Sequence, residues 1–350
     1  MTETLKKFQK YLAQQKLGGA VITDILTVNY LTFFPFINDG DAFLIVTPKK
    51  AICYTKDLYL IDIKNKCKFL DFVNSLDINE LAKNLGKQAK NFVFDPNAST
   101  YINGTALRKA GAKEFAKLTS IIREVKTKEE IKIIKQACQI SSKSFEIFKK
   151  KLKPGITELQ AAKSLECIMA ELGGQGISFP TVVAFGKNTA NPHHAKGDTK
   201  LKKEMPVLVD FGCKYKGYCS DMTRTFWFGK KPTQEFKHYF EAVFETYTVA
   251  HKTLKAGKGA KEMDTLARNY LEDNFDAAKY FLHSLGHSLG REIHERPFLS
   301  PRGEGLLKEN SLMTIEPGLY FENKFGIRYE DTFLITKTGS INLTATKTKK

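Results

Sequence analysis

At 350 residues with 42% hydrophobic content, the chain is long enough for two domains with cores of their own, and no apolar run approaches the length of a membrane span. The net charge of +17 comes mostly from Lys spread over every segment. With no Gly-rich phosphate loop and no basic run interleaved with aromatic residues, that charge reads as a solvated surface, and neither nucleic acid nor membrane is an expected partner.

The first residues, Met1 to Lys7, carry no apolar signal core, and the six Cys (53, 67, 138, 167, 213 and 219) show no CxxC spacing. Free thiols in a reducing cytoplasm are therefore expected. Leu5, Phe8 and Leu12 have helical spacing, and Gly18-Gly19 stops that helix. Ala20–Ile22 reads as a strand, Ala42–Val46 and Ala51–Tyr54 as a hairpin across Pro48 to Lys50, and Phe92–Phe94 as a further strand. This alternation predicts an α/β domain over 1–122, a mixed sheet with helices around it. No candidate chemistry falls within it.

The second domain, 123–350, begins with a predicted capping box, Thr127 with Glu130, and a helix through Ile134, Ala137, Ile140 and Phe148. Pro154-Gly155 ends it, and a second helix runs from Thr157 to about Leu172. Ser178–Phe185 reads as a strand, followed by a polar loop that carries His193 and His194. Val207–Phe211 and Tyr218–Phe226 read as two strands joined by a turn at 214–217. A fold symmetric about Tyr215 and Lys216 sets Asp210 opposite Asp221, with Cβ atoms about 4.5–5.5 Å apart, and lets Cys213 and Cys219 face each other. Two carboxylates so placed are a solvated pair, a pair sharing a proton, or ligands of a cation. Gln234–Leu254 and Glu262–Phe275 read as helices. His283, His287 and His294 then fall within twelve residues, in a segment that Gly286 and Gly290 mark as extended. Extension puts His283, Leu285 and His287 on one face. Finally, Leu312–Glu316 and Gly326–Ile335 flank a turn at 322–324, about which Glu316 and Glu330 are symmetric. Two acidic pairs and a His cluster form a ligand set for two divalent ions; oxygen donors with one imidazole suit Mn, Co, Zn or Fe.

The phrases Val-Asp210-Phe-Gly, Ser-Asp221-Met-Thr-Arg-Thr, Gly-His287, Ile-Glu316-Pro-Gly and Arg-Tyr-Glu330-Asp-Thr, in that order, resemble the dinuclear-metal motifs of the "pita-bread" metallopeptidases. That family holds methionine aminopeptidase, aminopeptidase P and prolidase. The run Ile22 to Thr32 likewise resembles the N-terminal domain of creatinase and the proline peptidases. The resemblance implies an α+β fold: an α/β N-terminal domain, then a pita-bread catalytic domain whose curved antiparallel sheet is covered by helices. It implies that Asp221 and Glu330 bridge two metals, that Asp210 chelates one, and that His287 and Glu316 bind the other. The ions are expected to be Mn2+, with Co2+ or Zn2+ as alternatives. His193, His283, His294, Glu316 and Arg328 match catalytic positions, and His283 and Tyr320 match substrate-binding positions of the proline-specific members.

The expected reaction is hydrolysis of an Xaa-Pro bond, in peptides or dipeptides, by a hydroxide held between the metals. In it Glu316 carries the proton and His294 and His193 steady the oxyanion. The resemblance also implies a homodimer. The alternatives are a non-catalytic pita-bread binding module, disfavoured by the full ligand set, and a methionine aminopeptidase, disfavoured by the N-terminal domain and His283. One departure stands out: Ser288 follows the ligand His where the family usually has Gly.

Overall fold

Side-chain alternation along the strands decides which residues meet helices and which meet solvent or a cleft. The computed structural model describes residues 1–88 and 91–346, and its contacts divide the chain into two compact units, Met1–Arg123 and Glu124–Lys350.

In the first unit, β1 (Gly19–Ile22), β2 (Ala42–Val46), β3 (Ala51–Thr55), β4 (Asp71–Asn74), β5 (Phe92–Phe94) and β6 (Lys113–Glu114) form one sheet in the order β4-β3-β2-β1-β5-β6. The β1–β2 and β2–β3 pairs are antiparallel and the rest parallel. Ala20, Ile22, Leu44 and Val46 bury on one face with Leu5, Phe8 and Leu12 of α1 (Glu3–Gln14), Val28 of α2 (Ile25–Thr32) and Ile63 of α3 (Asp57–Lys66). The alternate residues Val21, Phe43 and Ile45 bury on the other face with Leu81 of α4 (Ile78–Gln88) and Leu107 of α5 (Tyr101–Lys109). The result is a mixed sheet between two helical layers. α1 starts where Thr2 Oγ1 accepts the Leu5 N–H at 3.1 Å, and α6 (Leu118–Glu124) closes this part of the chain.

The second unit opens on α7 (Lys128–Lys151). Thr127 Oγ1 accepts the Glu130 N–H at 3.2 Å, and the Glu130 carboxylate accepts the Thr127 N–H at 2.8 Å, the reciprocal capping that the sequence predicts. α8 (Glu158–Glu171), α9 (Gln234–Thr253) and α10 (Ala260–Phe275) follow. The strands are β7 (Val182–Phe185), β8 (Met205–Phe211), β9 (Lys214–Tyr215), β10 (Tyr218–Cys219), β11 (Met222–Phe228), β12 (Gly286–Ser288), β13 (Glu295–Leu299), β14 (Leu312–Ile315), β15 (Gly318–Phe321), β16 (Phe325–Arg328), β17 (Asp331–Ile335) and β18 (Ser340–Asn342). Their pairings are antiparallel. The strand expected over 178–185 is shorter, starting at Val182.

Two cores lie behind these strands. Val207, Val209 and Phe211 of β8 and Met222 of β11 pack with α7 and α8. Met313 and Ile315 of β14, Leu319 of β15, Ile327 of β16 and Phe333 and Ile335 of β17 pack with α9 and α10. Period-two alternation then sends Asp210, Asp221, Thr223, Glu316, Tyr320, Arg328 and Glu330 to the faces turned away from the helices.

The two hairpins differ in register from each other and, in one case, from expectation. Asp210 pairs with Thr223, not Asp221. Lys216 (φ +48°) and Gly217 (φ +77°) are both left-handed, the pattern of a two-residue primed turn. The hairpin is therefore centred one residue later than the sequence suggested. Asp221 falls opposite Gly212 and sits diagonal to Asp210 on the same face. Cys213 and Cys219 consequently do not face each other, since Cys219 pairs with Lys214. In the second hairpin, Ile315 pairs with Asp331 and Gly318 with Arg328. The register keeps Glu316 and Glu330 facing across a gap between two ladders. Leu285 departs from the face expected to be shared with His283 and His287: it is buried in the α9–α10 core while both histidines line a cleft, because residues 283–285 precede β12 and the extended alternation does not reach them.

Candidate metal centre

A cleft of about 810 Å³ in the second unit is lined by Asp210, Asp221, His287, Glu316 and Glu330, with His193, His194, His283, His294 and Arg328 around them. Five short stretches deliver the first five of these groups. β8 and β11 present the two Asp, the gap between the β14–β17 and β15–β16 ladders presents the two Glu, and β12 presents His287. Gly286 makes the last approach attainable, because a Cβ there would collide with the Thr314 carbonyl of β14.

Ligand atoms of Asp221, His287 and Glu330 lie within 4.8 Å of one another. His287 Nε2 is 3.5 Å from Asp221 Oδ2 and 3.3 Å from Glu316 Oε1. The other ring nitrogen, Nδ1, is 3.0 Å from the Ser288 carbonyl, which fixes the proton on Nδ1 and leaves the Nε2 lone pair, the atom that can bind a cation, turned toward the carboxylates. Glu330 Oε2 accepts from Thr223 Oγ1 at 2.7 Å. Thr314 Oγ1 accepts the His287 N–H at 3.0 Å and lies 3.3 Å from Glu316 Oε1. Asp210 Oδ2 accepts from Arg328 Nη2 at 2.6 Å, while Asp210 Oδ1 is buried without a hydrogen-bond partner. A buried orphan acceptor beside three further carboxylates and one neutral imidazole is a donor set for hard to borderline divalent ions.

The electrostatics point the same way. Burial, then the charges of Glu330 and Asp210, push the Asp221 carboxyl well above the usual range. Burial, then Glu316 and Asp210, do the same to Glu330. Burial pushes Glu316 up to about 8. His287, buried beside His294, is pushed down to about 3, so it is neutral and fit to ligate. Without cations, these carboxylates hold protons that the unfolded chain would have released. That stabilisation is fully present below the ordinary carboxylate range and is lost as pH rises through the folded values. His283 and His287, both near 3 in the fold against 6.5, have the opposite sign, and their contribution is complete above about pH 6.5. Between pH 6.5 and 8 the histidine contribution is nearly complete, and the carboxylate contribution is the larger change. The melting temperature of chelator-treated protein is therefore expected to fall across that window, and saturating Mn2+ should flatten the slope. A chelated protein that melts higher at pH 8 than at 6.5 contradicts this.

The surrounding residues are tied to one another. Arg328 Nη1 donates to the Tyr320 hydroxyl at 2.6 Å, and that hydroxyl lies 2.9 Å from His283 Nε2. With His283 Nδ1 on the Ser284 carbonyl at 2.9 Å, Tyr320 donates to Nε2. Arg328, Tyr320 and His283 thus form a chain from the Asp210 carboxylate to the cleft wall. His294 packs edge-on to His287, ring centroids 4.5 Å apart. His193 lines the cleft, and so does its neighbour His194, whose Nε2 is 2.8 Å from the buried Glu158 carboxylate. Glu158 also accepts from the Phe185 and Gly197 N–H groups, so it anchors the loop that carries both His.

Sequence reading missed Thr223, Thr314, Glu158 and His194. Thr223 had a legible signal, since it shares strand parity with Asp221. Thr314 had the same relation to Glu316.

The chain resembles proteins of one kind along its whole length. Residues 4–126 match the creatinase/prolidase N-terminal domain, and residues 132–337 match metallopeptidase family M24. It is 32% identical to the Xaa-Pro dipeptidase of Pyrococcus furiosus, over 99% of each chain. Among solved structures, it superposes on an Xaa-Pro dipeptidase from Bacillus anthracis with a TM-score of 0.90 at 30% identity, covering 99% of this chain and 98% of that one. An X-Pro aminopeptidase from Thermotoga maritima gives 0.84 at 28%, covering 95% and 97%. With that domain match over most of its second unit and a relative 32% identical over its whole length, the chain belongs to metallopeptidase family M24.

Proposed function

We propose that this protein is a divalent-metal-dependent exopeptidase that hydrolyses the bond between an N-terminal residue and proline. The observation that carries the proposal is the convergence of Asp210, Asp221, His287, Glu316 and Glu330 on one cleft face, ringed by His193, His283 and His294. The names of the relatives add proline as the residue after the cleaved bond and favour dipeptides. In this reading Asp210, with its open Oδ1, Asp221, His287, Glu316 and Glu330 would hold the ions; Mn2+ is the ion assigned first, with Co2+ or Zn2+ as alternatives. When bound, the ions supply a water acidified to near neutrality and polarise the scissile carbonyl.

The chain's own residues do the rest. Glu316 takes a proton from the attacking water and passes it to the proline nitrogen. His294, whose proton affinity burial lowers, donates an N–H to the developing oxyanion together with His193. His283, oriented by Tyr320 and the Ser284 carbonyl, forms the wall against the proline ring. Arg328 keeps Asp210 and Tyr320 in register. In this reading Tyr320 acts on substrate through His283, since its hydroxyl is held by Arg328 and His283.

The test is hydrolysis of Ala-Pro and Ala-Pro-Ala by chelated protein resupplied with Mn2+. Mn2+-dependent release of proline from the dipeptide is expected. Release of alanine from the tripeptide as well indicates the aminopeptidase specificity. No cleavage of either with Mn2+, Co2+ or Zn2+ overturns the proposal.

A further inference from the structure

Directly behind His287 lies a polar group that the peptidase chemistry does not use. Lys126 Nζ donates to Ser288 Oγ at 3.0 Å and to Glu295 Oε2 at 3.2 Å. The Lys126 and Glu295 side chains are 1% and 3% exposed, and Ser288 is fully buried. Glu295 Oε1 accepts the Arg291 N–H at 3.0 Å and the Glu292 N–H at 3.3 Å. Burying an ammonium and a carboxylate costs several kcal/mol per ion before their attraction repays it, so a core of apolar residues would serve stability as well.

The backbone shows what the group supplies. β12 and β13 slip register between His287 and Ser288. At such a bulge the ladder no longer fixes the strand, and here it falls on the ligand histidine itself. The Ser288 carbonyl orients the His287 ring through Nδ1, the Ser288 hydroxyl is held by Lys126, and Lys126 is held by Glu295, the residue after His294. One side-chain unit thus fixes both ends of the segment between the two site histidines.

We infer that Lys126, Ser288 and Glu295 form a positioning unit that sets the orientation of His287, and hence the affinity of the centre for its divalent ion. The Ser in place of the usual Gly after the ligand His is then the acceptor that links the buried Lys to the histidine's own backbone. The inference rests on the metal-centre reading above.

The test reads metal binding directly, by Mn2+ calorimetry and by the visible absorption of Co2+-loaded protein, neither of which needs substrate. Ser288→Ala keeps the ion pair and should fold. It is expected to lose about tenfold in Mn2+ affinity and to shift the Co2+ bands, the scale found for groups that orient metal ligands. Lys126→Met/Glu295→Gln removes both buried charges together and is expected to lose about 10- to 100-fold. Lys126→Met alone leaves a buried carboxylate and can fail to fold; the other two variants then carry the test. Wild-type affinity and an unchanged Co2+ spectrum in both overturn the inference while leaving the peptidase reading intact. Absence of divalent-ion binding by the wild-type protein overturns both.

Discussion

Glu330→Gln is expected to abolish Mn2+-dependent Xaa-Pro hydrolysis and, at the same time, to raise the melting temperature of the metal-free protein at pH 8. Glu330 is 2% exposed and faces Glu316 across the ladder gap, with Asp221 and Asp210 close by. In the proposed reading it is a ligand, and so a condition for the chemistry. Removing it forfeits several kcal/mol of transition-state stabilisation, at least about a thousandfold in kcat/KM. In the absence of cations the same carboxylate is a burden, because burial and its acidic neighbours penalise its charge. Glutamine keeps an oxygen for the Thr223 hydroxyl and removes the charge. Two readouts therefore move in opposite directions. A variant that turns over Ala-Pro at the wild-type rate, or that melts lower than wild type when both are chelated at pH 8, would sink this account of the site.

Arg224→Met is expected to be among the most destabilising single changes in the second unit. Arg224 is 4% exposed. It donates to Asp331 Oδ1 at 2.7 Å, to the Glu330 carbonyl at 2.5 Å and to the Thr223 carbonyl at 2.9 Å. Its guanidinium lies 4.3 Å from the centre of the Tyr329 ring. Asp331 also accepts from Tyr247, Asn342 and Thr344. Strand parity puts this cluster on the helix side of β11 and β17, back to back with Asp221 and Glu330. Removing the cation strands a buried carboxylate, which costs about 3–5 kcal/mol. Adding Asp331→Asn should return part of that loss, because no buried charge is then left alone. Urea unfolding of the two variants checks this. A single variant within about 1 kcal/mol of wild type, or a double variant less stable than the single, contradicts it.

Much of the site could be read from the sequence because each of its five proposed ligands sits in or directly beside a short strand, with its own local phrase, and strand parity fixes its face. Glu316 and Glu330 were legible as a facing pair, since hairpin symmetry about Asn323 is a matter of counting. Asp210 and Asp221 were misjudged by one turn position. The left-handed pair Lys216-Gly217, rather than Tyr215-Lys216, makes the bend, and a lysine in that conformation is not signalled by composition. Face, which depends only on parity, survived this error; direct opposition did not. The turn of Leu285 away from His283 and His287 was hidden for a related reason, since alternation presumes a continuous strand and β12 is three residues long. Lys126 and Glu158 could not be found by pattern at all. Each acts on residues more than 25 positions away, and only the folded chain shows that their charges are buried. In the first unit, β4 escaped notice because Asp71–Asn74 is an edge strand with no buried residue.

The gap between the two ladders of the second hairpin has one more effect. At the gap Glu316 and Glu330 lose their cross-strand partners, and their amides turn outward. The Glu316 N–H bonds to the Leu285 carbonyl at 2.8 Å, and the Glu330 N–H bonds to the Thr223 carbonyl at 3.1 Å. Each of these two carboxylates is thus sewn to a segment that carries another group of the site, Glu316 to the His287 segment and Glu330 to the Asp221 segment. Those two amides serve as reporters of whether the four segments part together. In native-state hydrogen exchange they should become labile in a single opening event, slowed in concert when a divalent ion is added.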